Sequence, residues 1–373
     1  MKALVYTQPN EVQLQDQPEP QLVSGEVILE IEAVGICGSD MHAYHGHDPR
    51  RKPGLVLGHE FCGKIVQSAA PGFAIGQRFT GNPLITCGTC DYCVQGRDNL
   101  CSHRTMVGMT RPGAFAQRMS IPAASLVEIP QDMPALHAAL TEPAATALHA
   151  INLSMRAMAR PLPENRTLIL GGGAIGMLAA LLLKSYGCRQ TALAEVNPLR
   201  RKSIETHAQV STYDPRETQP QENGFDYVID AVGSKITREA ALRAVKPGGV
   251  VMHIGLQDWA SEIDMRKLTL AEITLMGTYT YSTADLRATV ALLRDGVFGD
   301  LSWVSSMSLA DPDRSRIEPM KINIGTETST WSSATPPHMR SSTLDMAWIG
   351  NTSNPQPIRA NTSAVPPMTK ATG

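Results

Sequence analysis

Four cysteines crowd into one short stretch, in the order Cys87-x2-Cys90-x2-Cys93-x7-Cys101. Four thiolates can close a tetrahedral shell around zinc and leave no position for water or substrate, so a metal there pins a loop. A four-thiolate iron–sulfur cluster is the other metal reading and ranks below zinc. The bland reading is four separate thiols in a turn-rich loop.

A second set of donors is scattered. Cys37 stands in GICGSD, His59 and Glu60 in GHE, and Glu142 in TEPAATALHA. Thiolate, imidazole and carboxylate are all zinc ligands, and three protein ligands leave the open position that catalytic zinc requires. Each motif alone is weak: a lone cysteine is more often a small buried hydrophobe. Their joint appearance beside the four-cysteine cluster carries the reading.

A third feature is LILGGGAIG, with Gly171, Gly173, Ala174, Ile175 and Gly176 in the pattern G-x-G-x-x-G. Such a loop between a strand and a helix turns tightly at Gly171. It lets a pyrophosphate approach the backbone at Gly173 and packs helix on strand at Gly176. The helix N-terminus then offers free N–H groups to phosphate. Glu195, further on, can accept hydrogen bonds from ribose hydroxyls and repel a 2′-phosphate, which favours NAD over NADP. Arg200 and Arg201 follow it and can soften that preference. Val232, at the end of a later strand, joins the expected cofactor contacts.

These residues need two kinds of scaffold. Residues 1–145 carry short β-like runs, such as 27–34 (VILEIEAV), 64–66, 77–79 and 117–121, separated by Gly and Pro. That pattern predicts a small β-rich, barrel-like domain. Residues 146–300 alternate strand-like runs (167–170, 191–194, 225–232, 250–254) with helix-like ones, including 198–207 and 235–245, and predict a parallel sheet. The fold class is therefore α/β. From 301 onward, and most plainly from 311, Ser, Thr and Pro dominate without a period of 2 or 3.6. A disordered tail is expected there.

The bulk properties exclude other classes. The net charge is -2, with no basic patch for nucleic acid. The longest apolar run is too short for a membrane span. The N-terminus has no apolar signal core, so a cytoplasmic location is expected.

On GICGSD, GHEFCG, the cysteine loop, GAFAQRMSIP, TEPAATALHA and LGGGAIG, taken in order over residues 1–300, the chain resembles the medium-chain zinc-containing alcohol and polyol dehydrogenases. The nearest look is to the sorbitol, idonate and galactitol-phosphate branch, with threonine dehydrogenase close by. The resemblance implies a GroES-like catalytic domain followed by a Rossmann domain, with the active site between them. It implies two zinc ions per chain, one catalytic and one structural, with NAD as cofactor and a small polyol or alcohol as substrate. A homo-oligomer, dimer or tetramer, is also implied. Cys37 and His59 carry over as catalytic-zinc ligands, and either Glu60 or Glu142 is the third. Ser39 passes the hydroxyl proton toward His42 or solvent, and Asp40 orients the ligand histidine. Tyr279 and Tyr281 fall where the family lines its substrate pocket. His45 and His47 are expected in a solvated loop.

The resemblance stops near residue 310. The family's C-terminal segment returns to complete the catalytic domain, and the Ser/Thr/Pro-rich stretch does not look like it. An altered reading of this end, such as a frameshift, is the expectation. A chain that binds zinc and NAD without turning over is the alternative function it opens.

Overall fold

The computed structural model describes residues 1–309 and 322–323. In chain order the first part holds β1 (Lys2–Gln8), β2 (Glu11–Asp16), β3 (Glu26–Gly35), α1 (Gly38–Tyr44), β4 (Leu55–Val56), β5 (Glu60–Ser68), β6 (Arg78–Gly81) and β7 (Leu84–Ile85). It continues with α2 (Asp91–Val94), β8 (Thr105–Met106), β9 (Arg118–Pro122), β10 (Leu126–Glu128), α3 (Ala135–Ala139) and α4 (Thr141–Met155). The second part holds β11 (Thr167–Leu170), α5 (Ala174–Ser185), β12 (Thr191–Ala194), α6 (Pro198–His207), β13 (Ser211–Tyr213) and β14 (Phe225–Asp230). After these come α7 (Lys235–Ala244), β15 (Val245–His253), α8 (Met265–Leu270), β16 (Thr274–Gly277) and α9 (Thr283–Arg294). Two short strands, β17 (Met307–Ser308) and β18 (Ile322–Asn323), follow.

In the β-rich part the alternating residues of β3 bury Val27, Leu29 and Ile31 against one core. β3 pairs antiparallel with both β5 and β9, and the sheet runs β10-β6-β5-β3-β18-β17 with β9 off that path. β1, β2 and β4 form a separate small sheet. This is the GroES-like architecture expected of the N-terminal part.

The second part is a six-stranded parallel sheet in the order β13-β12-β11-β14-β15-β16, flanked by helices: a Rossmann sheet. Its order reverses between β11 and β14, which puts a ligand crevice at the carboxyl ends of those strands. Local chemistry starts the helices. The Asn197 side chain accepts from the N–H groups of Leu199 and Arg200 with Pro198 at the first turn, and Ser234 and Ser282 form capping boxes at α7 and α9. The buried, all-apolar face of α5 and the Ala-rich α4 belong to one core that reaches from Ala33 and Cys62 to Ile229 and Met252, so α4 joins the two parts.

Several sequence expectations are refined. β5 begins at Glu60 rather than Lys64, so that carboxylate rides on a strand. β15 begins at Val245, and the short β13 and β16, at the two edges of the sheet, had no strong apolar run to announce them. The chain also stays folded past 301. Leu301 and Leu309 are buried, and β17 is formed. A two-residue strand, β18, pairs antiparallel with Ala33 and Val34 of β3. The rest of the expected disordered tail lies outside the described residues.

Candidate active site

Two segments of the chain, one after β3 and one at the start of β5, converge on one point. Cys37 follows β3 and caps α1, with its backbone N–H donating to the Asp40 carboxylate at 3.0 Å. His59, 2 % exposed, precedes β5, and Glu60 opens that strand directly opposite Gly35. A side chain at Gly35 would collide with the Glu60 carboxylate, because a Cβ there would lie 1.9 Å from Oε2. The donor atoms of Cys37, His59 and Glu60 all lie within 4.8 Å of one another. Glu142 sits apart from this trio, in the first turn of α4. It is buried, and its Oε1 accepts from the Tyr281 hydroxyl at 3.0 Å.

The electrostatics show what the donor set lacks. Burial pushes the Cys37 thiol up, against the pull of His59. Burial also opposes charge on Asp40 and on His59, yet their mutual attraction holds the carboxyl low and the imidazole well above its ordinary value. Asp40 Oδ1 stands 3.4 Å from His59 Nδ1, close enough for Coulomb attraction but not aligned to bond, so this buried ring nitrogen has no hydrogen-bond partner. Burial raises Glu142 as well. A half-buried thiol beside a buried imidazole and buried carboxylates is costly without a cation, and a divalent ion would favour thiolate and carboxylate together. The residues present therefore fit a zinc ion.

Around them, Ser39 is held by Arg51, which donates to its carbonyl at 3.1 Å and to its hydroxyl at 3.3 Å. Arg51 is itself buried on Asp48, at 2.8 Å. Sequence reading missed Arg51, since nothing in GHDPRRKPG separates it from its exposed neighbour Arg50. His42 is half-buried, and burial followed by the His47 charge keeps its pKa low. The rings of His42 and His45 lie 6.2 and 5.8 Å from that of His47, and His45 Nδ1 meets Asn10 Oδ1 at 2.8 Å.

The four-cysteine lobe is already shaped for a metal. Its sulfurs stand 3.6 Å apart for Cys87–Cys101 and Cys90–Cys93, and 3.9 Å for Cys87–Cys93. A tetrahedron with Zn–S bonds of about 2.3 Å has edges of about 3.8 Å. The backbone N–H of Thr89, then that of Cys90, holds the Cys87 thiol down at about 5.

In the Rossmann part, Gly171 has φ of +98°, and a Cβ on Gly176 would lie 1.9 Å from the Gly171 carbonyl. Both positions thus need glycine. Val232 packs on Gly171, where a Cβ would meet its side chain at 2.4 Å, while Gly173 faces open space at the start of α5, ahead of Ala174 and Ile175. Glu195 is buried against the loop. It accepts from the backbone N–H of Gly172 at 2.7 Å and of Asn197 at 2.8 Å, with Arg200 at 3.7 Å. Arg201 turns instead to the backbone carbonyls of Glu195 and Val196 and to Asp214.

The two tyrosines part company. Tyr279 is half-buried, with the Arg104 guanidinium 4.9 Å above its ring. Tyr281, expected to line the pocket, is 0 % exposed and donates its hydroxyl to Glu142 at 3.0 Å. Among the described residues no helix is long and apolar enough to cross a membrane.

Comparison with known proteins agrees with this architecture. Residues 23–131 match the alcohol dehydrogenase GroES-like domain, and residues 174–295 match the zinc-binding dehydrogenase domain. An L-threonine 3-dehydrogenase of Chelativorans sp. (strain BNC1) is 32% identical over 75% of this chain and 83% of its own length. The L-galactonate-5-dehydrogenase of Escherichia coli (strain K12) is 30% identical over 79% of this chain and 88% of its own. Among solved structures, a zinc-binding dehydrogenase from Sinorhizobium meliloti 1021 bound to NADP superposes with a TM-score of 0.77 at 29% identity. The match covers 86% of this chain and 98% of that one.

Proposed function

This chain belongs to the family of medium-chain, zinc-type alcohol and polyol dehydrogenases, and we propose that it oxidises a secondary hydroxyl of a polyol or sugar acid with NAD as acceptor. The observation that carries the reading is the donor set of half-buried Cys37 with buried His59 and Glu60, gathered within 4.8 Å. These three residues would hold the catalytic zinc, and Glu142 lies close enough to feel the His59 charge. Cys87, Cys90, Cys93 and Cys101 would hold a structural zinc. When bound, zinc would supply Lewis acidity for the alcohol and NAD would supply a hydride acceptor.

The chain's own residues supply positioning and proton movement. Asp40 faces Nδ1 of His59 and leaves the other ring nitrogen for the metal. Ser39, fixed by Arg51, takes the substrate hydroxyl proton and passes it toward His42, three positions on in α1. The loop of Gly171, Gly173 and Gly176 receives the pyrophosphate. Glu195, which accepts one backbone N–H on each oxygen and has Arg200 beside Oε2, is the carboxylate that would meet the ribose hydroxyls and repel a 2′-phosphate.

L-threonine is the second reading of the substrate, favoured by the identity to threonine 3-dehydrogenases. The test is a panel of polyols, sugar acids and L-threonine, given to the full chain with NAD or NADP and followed by reduced-cofactor absorbance. NADH with a polyol or sugar acid supports the first reading, and NADH with threonine alone supports the second. No reduced cofactor from any secondary alcohol, in protein holding about two zinc ions per chain, rejects both.

A further inference from the structure

The segment between β16 and α9 ties the four-cysteine lobe to the catalytic centre. Residues 98 and 99 lie inside the cysteine loop, just before Cys101. The Asn99 amide, 4 % exposed, donates to the Tyr279 carbonyl at 2.8 Å across 180 positions of chain. The Asp98 carboxylate accepts from the Thr283 backbone N–H at 3.2 Å and also from the Thr283 hydroxyl. Asn82 reaches that same hydroxyl oxygen at 3.4 Å. Between these anchors, Thr280 is held at φ of +46°, a conformation that a β-branched residue adopts only when its surroundings impose it. The product of this clamp is Tyr281, fully buried and donating to Glu142 at 3.0 Å.

We propose that Asp98 and Asn99 are positioning residues for the catalytic centre: the four-cysteine lobe grips residues 279–283 so that Tyr281 sets the place of Glu142. The inference rests on the zinc dehydrogenase reading above. It gives the structural-metal lobe a role in catalysis although none of its groups touches the substrate. Loss of the grip frees the segment from its strained conformation, and the Glu142 carboxylate then loses the Tyr281 hydroxyl as a donor.

The test replaces zinc with cobalt(II), whose visible bands report the donors around the metal. Subtracting the spectrum of Cys37→Ser, which keeps only the lobe's metal, isolates the catalytic site. Tyr281→Phe and Asn99→Ala are expected to move that band in the same direction. Each should lower kcat about tenfold, as a misplaced group does, and leave KM for NAD near the wild-type value. The double variant should be no worse than Tyr281→Phe alone, because both act through one contact. Thr283→Val removes only the hydroxyl held by Asp98 and carries the same test if Asn99→Ala fails to fold. An unmoved band and kcat in the lobe variants, or effects that multiply in the double variant, overturn the coupling. A wild-type protein with neither a Cys37-dependent band nor NADH formation overturns the dehydrogenase reading and this inference with it.

Discussion

At the scale of single residues, the chemistry depends on donors that are individually ordinary. Cys37 is a thiol at a helix start, and only its neighbours make it a ligand. Cys37→Ser is expected to lower the zinc content from about two to about one per chain, because the lobe of Cys87, Cys90, Cys93 and Cys101 is independent of it. Elemental analysis with a kcat measurement checks this: unchanged zinc would show that Cys37 is not a ligand. Glu195 offers a cleaner specificity test. Glu195→Ala removes the charge that repels a 2′-phosphate but also frees the Gly172 N–H, so NADP should gain on NAD by about tenfold in kcat/KM while NAD binding weakens. A variant that loses both cofactors equally would assign Glu195 to loop structure alone.

At the scale of elements, α9 is tied to α4 by one carboxylate. Asp285 completes the Ser282 capping box, meets His149 Nδ1 at 2.7 Å and accepts from Asn152 at 2.9 Å. Burial opposes its charge, but His149, Ser282 and Asn152 together hold its pKa down at about 2. A depressed folded-state pKa means stability that is present above the unfolded value near 4 and is lost as pH falls through about 2. Asp285→Asn should therefore cost about 1–2 kcal/mol at neutral pH, after allowance for solvent screening. The gap from wild type should close in urea melts near pH 2, and a gap that widens on acidification would refute the assignment. The glycine loop gives a steric prediction. Gly176→Ala places a methyl group 1.9 Å from the Gly171 carbonyl, so β11 and α5 must separate. A loss of about 1–3 kcal/mol and of NADH binding is expected, read by thermal melting and NADH fluorescence.

At the scale of the whole molecule, the site exists because two parts meet, and the link runs through α4 and residues 279–283. The exposed edge of the Rossmann sheet is the other large-scale feature. In β16 Leu275 is 38% exposed, and Leu270, at the end of the preceding α8, is 72% exposed. Among the described residues β16 is the outermost strand of its sheet, and an edge strand with exposed apolar side chains is a surface that a second copy would cover. Light scattering should show a dimer or tetramer, and Leu275→Lys should shift it toward monomer. A monomeric wild type would remove the expectation.

The sequence by itself determined what is local. The cysteine spacing determined a four-thiolate pocket, since a short loop can bring its sulfurs to 3.6–3.9 Å without help from the rest of the chain. The glycine spacing determined the dinucleotide loop, since φ of +98° and a backbone contact at Gly176 are properties of a few adjacent residues. Only the tertiary structure places Glu60 beside Cys37 and His59, through the β3–β5 register, and Glu142 in the first turn of α4, facing Tyr281. It also decided that Arg51 pins Ser39, that Tyr281 faces Glu142 and not solvent, and that the chain returns to β3 as β18. Such contacts, 139 positions apart for Tyr281 and Glu142, leave no periodic trace in either segment. They follow from how whole elements pack, and spacing along the chain carries no record of that.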